Sequence, residues 1–304
     1  MKYRAEIDGL RALAVVPVIL FHAGFEIFSG GFAGVDVFFV ISGYLITTIL
    51  IEDIENKRFS IMSFYERRAR RILPALSFVT FVCIPFAWAW MLPNQIRDFS
   101  QSLIAVSLFS SNILFWRESD YFGGVAEETP LLHTWSLSVE EQYYILFPLF
   151  LIFAWRFGKD RVVWTIAVIA AISLIMSEWA WRTMPTANFY LLPTRAWELL
   201  AGSIAAFIVQ KQGVRKNNIL AFIGLAAIMI SIFFYDRTTP FPSTYTLLPV
   251  LGTVLVVLYA DDETHAAKLL RAKAFVGVGL ISYSAYLWHQ PLLAFMRLQS
   301  RNDA

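Results

Sequence analysis

The stretch that decides the fold is Asp8-Gly9-Leu10-Arg11-Ala12-Leu13-Ala14-Val15-Val16-Pro17-Val18-Ile19-Leu20-Phe21-His22-Ala23-Gly24. It is apolar enough for a membrane helix, yet it carries Asp8 and Arg11 at its mouth and His22 near its far end. Steps of about 100° per residue bring Arg11 and His22 to within about 20° of one face, roughly 16 Å apart along the axis. Asp8 joins that face. Ionisable groups cost free energy in hydrocarbon, so a shared stripe of them implies a polar cavity or site beside the helix.

Working outward, the whole chain is of this kind. Of its 304 residues 58% are hydrophobic and only 16% charged, and the mean hydropathy is +0.58. Long apolar runs recur throughout, as in an all-α, polytopic membrane bundle, and a soluble fold is excluded. A net charge of +2 with no basic tract interleaved with aromatics argues against nucleic acid as a partner. Cys83 is the only cysteine, which rules out an intramolecular disulfide and, set in an apolar run, argues against a thiol nucleophile. Arg11 interrupts the first apolar run and no A-x-A cleavage pattern follows the end of that run, so the N-terminus reads as an uncleaved first span.

Apolar runs near 10–28, 35–51, 73–92, 98–116, 138–155, 162–181, 194–210, 218–235, 244–260 and 275–296 predict about ten transmembrane helices. Between the first two, Ser29-Gly30-Gly31-Phe32-Ala33-Gly34-Val35-Asp36 is a turn tight enough to return the chain and set Asp36 near the depth of His22. Asp36 could then orient the imidazole, or simply cap the second helix. After the second span comes Glu66-Arg67-Arg68-Ala69-Arg70-Arg71-Ile72-Leu73-Pro74. As a positive-inside signal this cluster places its loop and the N-terminus in the cytoplasm. As arginine forks it matches phosphate oxygens. Both readings stand on composition alone.

The longest polar interruption, from Arg117 to Trp135, opens onto Ser136-Leu137-Ser138-Val139-Glu140-Glu141-Gln142-Tyr143-Tyr144. Acids favour the first turn of a helix, but His133, Trp135, Glu140, Glu141 and Tyr144 together suggest a second cavity wall. Arg195 and Glu198, three residues apart, can pair within one helix or close a cavity mouth. In the last span Ser282, Tyr286 and His289 form a polar stripe. The topology does not close: with the N-terminus inside and ten spans, the basic loops around 156–161, 211–216 and 268–273 fall outside. Either a re-entrant passage within 98–137 shifts the parity, or the first loop dominates.

Together these residues carry a resemblance. Asp8-Gly9-Leu10-Arg11 with ten residues between Arg11 and His22, Gly34-Val35-Asp36-Val37-Phe38-Phe39-Val40-Ile41-Ser42-Gly43-Tyr44, and the arginine cluster ending in Pro74 are followed by two more. These are Pro130-Leu131-Leu132-His133-Thr134-Trp135-Ser136-Leu137-Ser138-Val139-Glu140-Glu141-Gln142 and Ser282-Tyr283-Ser284-Ala285-Tyr286-Leu287-Trp288-His289. The set resembles the acyltransferase 3 family of integral-membrane O-acyltransferases, which includes bacterial enzymes that acetylate O-antigen, peptidoglycan and other glycans. The resemblance implies an inner-membrane, multi-pass protein with a cytoplasmic N-terminus. It also implies acyl transfer, expected to be of acetyl, from cytoplasmic acetyl-CoA to a hydroxyl of an envelope glycan such as lipopolysaccharide O-antigen. Longer members add a span and an SGNH hydrolase-type domain; residues 1–304 are expected to form the transmembrane domain alone, as a compact member or a fragment.

By the same resemblance His22 is the base or a transient acyl carrier, Asp36 or Glu141 its orienter, and Arg11 a stabiliser of the donor's charge. Arg67, Arg68, Arg70 and Arg71 would grip the CoA phosphates. His133, Glu140, Arg195, Tyr283 and His289 are further substrate-side candidates. No metal and no permanently bound cofactor is expected; acyl-CoA is a substrate, and membrane lipid and a glycan acceptor are the partners. A transporter or flippase is the competing class, since polar stripes also serve proton relays, and a catalytically silent scaffold is a third.

Overall fold

The computed structural model describes residues 3–118 and 127–302; part of the polar run before Thr134 therefore lies outside the described residues. Those described are helical, with no strand among them. A chain this apolar must satisfy its backbone groups internally in lipid, and helices do so within each segment. In order, the helices are α1 (Ala5–His22), α2 (Gly34–Glu55), α3 (Ile61–Trp90), α4 (Pro93–Ser107), α5 (Ser111–Glu118), α6 (Thr134–Trp155) and α7 (Lys159–Thr183). They continue with α8 (Pro185–Tyr190), α9 (Leu192–Gln212), α10 (Asn218–Phe234), α11 (Leu247–Tyr259), α12 (His265–Leu270) and α13 (Lys273–Asn302). Among the described residues, five helical segments are long and apolar enough to cross a membrane: Gly31–Glu55, Ile61–Trp90, Thr134–Trp155, Lys159–Thr183 and Pro185–Gln212. The protein is a multi-pass helical membrane protein.

Starts and breaks follow local chemistry. The Asn217 side chain accepts from the backbone N–H groups of Ile219 and Leu220 and so opens α10. Ser60 does the same for α3 through Ser63 N. The run at 98–116, expected as one span, is instead broken into α4 and α5 at Leu108–Ser110, where Phe109 takes a φ of +50° that no α-helix continues through.

Contacts between loops define the two ends of the bundle. At one end Glu55 meets Lys159 and Gln210, Lys216 meets Glu263, Arg67 pairs with Asp53 at 2.8 Å, and Arg4 donates to the carbonyl of Val257 at 3.0 Å. At the other end Gly30 N donates to Ile232 O at 3.0 Å, Asn188 to Pro242 O at 2.7 Å, and Arg297 to His22 O at 2.6 Å. All four basic loops thus fall at one end. The reason is the segment from Pro93 to Glu118: α3 ends beside Phe295 of α13, and α6 starts beside His289 of the same helix, so the chain between enters and leaves on the same side. It folds back as a hairpin rather than crossing, and the parity conflict seen in the sequence disappears.

The centre is held by close backbone contact and buried polar pairs. A Cβ on Gly43 would lie 1.8 Å from the carbonyl oxygen of Leu199, and one on Gly202 2.0 Å from that of Val40, so α2 and α9 touch backbone to backbone. Beside that contact Ser203 Oγ meets Thr47 at 2.7 Å and Tyr143 at 2.6 Å, tying α2, α6 and α9 together.

Candidate active site

Three helices, α1, α2 and α6, converge with α3 and α13 on a cavity of about 860 Å³ including its mouth. Arg11, Arg68 and Arg71 are in its wall towards the basic end, with Glu140, Tyr144, Tyr283, Ser282, Ser136 and Tyr286 continuing it inward between the apolar side chains of α2. The wall is chemically divided: cations near the basic mouth, hydroxyls further in. The distance along α1 from Arg11 to His22, roughly 16 Å at the helical rise, spans that division.

Two of the charges in the wall, Arg11 and Glu140, are held by partners. Arg11 pairs with Asp8 at 3.3 Å, which in turn accepts from Tyr3 at 2.6 Å. Glu140 accepts from Ser42 at 3.0 Å and from Tyr144 at 3.1 Å. The Ser282 hydroxyl, buried and in the wall, has no hydrogen-bond partner among the described residues. The four arginines expected to act together divide into two pairs. Arg68 and Arg71 are in the wall, whereas Arg67 is bound to Asp53 and Arg70 to Glu66, at 2.7 Å, on the exposed side of α3. Tyr283 closes part of the wall and donates to Ile72 O at 3.1 Å, holding α13 to α3.

Tyr286 is in the cavity wall, and packed against it is a cluster of three imidazoles. The ring of Tyr286 is 5.2 Å from that of His289 and 5.5 Å from that of His133, and His289 is 5.1 Å from His22 and 5.3 Å from His133. His22 is therefore not in the cavity wall itself; it belongs to a histidine cluster one residue past it, on the side of the bundle away from the basic loops. Among the described residues no group of three or more His, Cys, Asp and Glu is disposed to hold a metal ion.

The expected orienters of His22 lie elsewhere. Its Nδ1 lies 2.8 Å from the carbonyl oxygen of Val18, one turn back in α1. Asp36 instead accepts from Arg195 at 2.9 Å, and Arg195 Nε lies 3.3 Å from Glu198. All three are buried, at 0%, 1% and 0% exposure for Asp36, Arg195 and Glu198. A carboxylate that deep needs a cation, and Arg195 is the one α9 supplies. Glu141 is buried next to Glu140 but outside the cavity wall, and its Oε1 has no partner among the described residues. The sequence reading missed Ser42 as a wall residue, although a hydroxyl inside an apolar run was its signal, and missed Arg297, an arginine in the final apolar helix whose guanidinium holds the His22 carbonyl.

A multi-pass helical bundle with a basic, hydroxyl-lined cavity leading to buried imidazoles is the class of protein that this fold and site define. The chain matches the family model described as an acyltransferase domain (Acyl_transf_3) over residues 4–303, and it belongs to that family. It is 33% identical over 311 aligned residues to the O-acetyltransferase OatA of Staphylococcus aureus, covering 97% of this chain and 51% of that protein. It is 32% identical to the peptidoglycan O-acetyltransferase OatA of Listeria monocytogenes, over 96% of this chain and 50% of that one. It is 30% identical to a putative peptidoglycan O-acetyltransferase, YrhL, of Bacillus subtilis, over 96% and 49%. The chain thus spans about half the length of these relatives. No solved structure matches it.

Proposed function

We propose that the protein is a membrane O-acetyltransferase that takes an acyl group from acyl-CoA at its basic end and delivers it to a glycan hydroxyl at the other. The observation that carries this reading is the run from Arg68, Arg71 and Arg11 through the cavity to Tyr286 and the imidazoles of His289, His133 and His22. An acyl thioester is already activated, so its transfer needs an anion anchor, donors near the developing oxyanion and a base for the acceptor. Arginines at the mouth suit the phosphates of coenzyme A, and a narrow hydroxyl-lined passage suits its long arm. His22, its ring fixed by Nδ1 on the carbonyl of Val18, suits a base or an acyl carrier.

In this reading the basic end is cytoplasmic, as the positive-inside trend requires of four basic loops that share a side, and the N-terminus is cytoplasmic with it. The names of the relatives favour peptidoglycan over O-antigen as the acceptor, and acetyl as the group moved. The test is incorporation of labelled acetyl from acetyl-CoA into cell-wall glycan, in cells expressing the native protein or His22→Ala at matched levels. The native protein should label the glycan and the variant should not; equal labelling sinks the reading. Retained glycan export without any acyl transfer would favour a flippase.

A further inference from the structure

Helices α6 and α13 meet at the cavity with their polar residues in step. The hydroxyls of Tyr286 and Ser136 are 2.7 Å apart and fix the register of the two helices. Helix α13 starts from the basic loops at Lys273 and α6 returns to them at Trp155, so the residues one turn nearer the basic end are Ser282 and Glu140. They share the faces of Tyr286 and Ser136 and are likewise in the cavity wall. Ser282 stands about 10 Å of helical rise from the position of His289, and Glu140 about 10 Å from that of His133 at the N-cap of α6.

The hydrogen-bonding capacity of these two side chains is not used up. Thr48, Ser231 and Thr253 donate their hydroxyls to the backbone carbonyl one turn back, at 2.8, 2.9 and 2.8 Å. Ser282, also inside a helix, does not: its Oγ is buried and has no hydrogen-bond partner among the described residues. A buried hydroxyl left in that state costs free energy, which a ligand carrying an acceptor would recover. Glu140 takes one donor on each oxygen, Ser42 at 3.0 Å and Tyr144 at 3.1 Å. A carboxylate has about four lone-pair sites, so each oxygen can take a second donor. A free donor and free acceptor sites at the same depth are what a secondary amide requires, one for its carbonyl and the other for its N–H.

We propose that Ser282 and Glu140 bind the second amide of the donor's pantetheine arm, the one nearer the phosphates, with Ser282 donating to its carbonyl and Glu140 accepting from its N–H. This rests on the function given above and adds the chemical feature by which the donor is chosen. In an extended arm the second amide is about 9 Å from the thioester sulfur. That length matches the roughly 10 Å between the level of the imidazoles and that of Ser282 and Glu140. The first amide, only about 4 Å from the sulfur, falls short of them. Ile41, Leu45 and Leu137, also in the wall, give the methylenes of the arm apolar contact. The site therefore selects thioesters of pantetheine and its phosphorylated forms, and discriminates against equally reactive thioesters that lack the second amide.

The test compares thioesters that differ only in the arm, with the full-length protein in detergent, chitotetraose as acceptor and acceptor-dependent thiol release as the readout. S-acetylpantetheine has both amides and S-acetyl-N-acetylcysteamine only the first; neither has phosphates, so the arginines do not enter the comparison. Native protein should prefer S-acetylpantetheine in kcat/KM by about tenfold, and Ser282→Ala should cut that preference about fivefold. A preference that is the same in Ser282→Ala as in the native protein, whether or not both rates fall, gives Ser282 a packing role only and overturns the proposal while leaving the acyltransferase intact. No thiol release by the native protein from acetyl-CoA sinks both. If Ser282→Ala fails to fold, the native protein decides: an S-acetylpantetheine analogue with two methylenes in place of the second amide should lose about tenfold in kcat/KM, and equal values for analogue and parent overturn the proposal.

Discussion

The guanidinium of Arg195 in α9 donates to the carboxylate of Asp36 at the start of α2, at 2.9 Å and with both side chains buried. With Glu198 at 3.3 Å from Arg195 Nε, two acids and one cation share a site enclosed by Phe39, Trp135 and Phe189. Breaking such a pair from one side leaves a buried charge without its partner. Arg195→Ala should therefore destabilise the protein by about 3–5 kcal/mol. Unfolding of the detergent-solubilised protein in increasing dodecyl sulfate measures this, and a midpoint equal to the native one would refute the structural role assigned here to Arg195.

Arg237 provides the contrasting case. It reaches Glu127 at 2.9 Å, but both side chains are substantially exposed. Solvent screens a pair of that kind, so Arg237→Ala should cost no more than about 1 kcal/mol in the same unfolding assay. A loss comparable with that of Arg195→Ala would mean that the outer charges form a cooperative network.

The division of the arginine cluster makes a kinetic prediction. Arg68 and Arg71 are in the cavity wall, and Arg70 is bound to Glu66 on the outside of α3. Arg68→Ala and Arg71→Ala should each raise KM for acetyl-CoA about tenfold or more, the loss of a charge-assisted hydrogen bond being worth about 1.5–3 kcal/mol. Arg70→Ala should leave KM within about twofold. Equal effects at all three positions would show that the cluster acts through its summed charge rather than through cavity contacts.

The contact between α2 and α9 is tested at Gly43, whose added Cβ would meet the carbonyl oxygen of Leu199 at 1.8 Å. The obstacle is backbone, which cannot turn aside, so Gly43→Ala must push the helices apart. Overpacking of this kind costs roughly 1–3 kcal/mol or more. The shift would also disturb Ser42, which holds Glu140 at 3.0 Å in the cavity, so thiol release should fall together with stability. Unchanged stability with native turnover would contradict the close approach.

Much of the site was legible before the fold was known. Arg11 and His22 were picked out because charge on an apolar helix is costly, and a cost of that kind identifies a residue without reference to its neighbours. The same logic found His133, Glu140, Tyr283 and His289, each a polar group in or beside an apolar run. Partners were harder, because a partner is a statement about distance between segments far apart in the chain. Asp36 was expected at His22 on the strength of a short connection between α1 and α2, yet Arg195, much later in the sequence, is what it meets.

Taken alone, the sequence determined the class of the protein, an all-helical membrane bundle, since apolar composition and the need to satisfy backbone groups in lipid leave few alternatives. It also determined which residues are too polar for their setting. Tertiary structure decided the rest. The hairpin of α4 and α5 brings the basic loops to one end, the packing of α3 sets Arg68 and the more exposed Arg71 in the cavity wall and binds Arg67 and Arg70 to acids outside it, and the meeting of α1, α6 and α13 gathers three histidines from distant parts of the chain. The physical reason is the same in each case. Periodicity and composition are properties of one segment, whereas the partner of a buried charge and the side on which a chain emerges depend on how several helices pack at once.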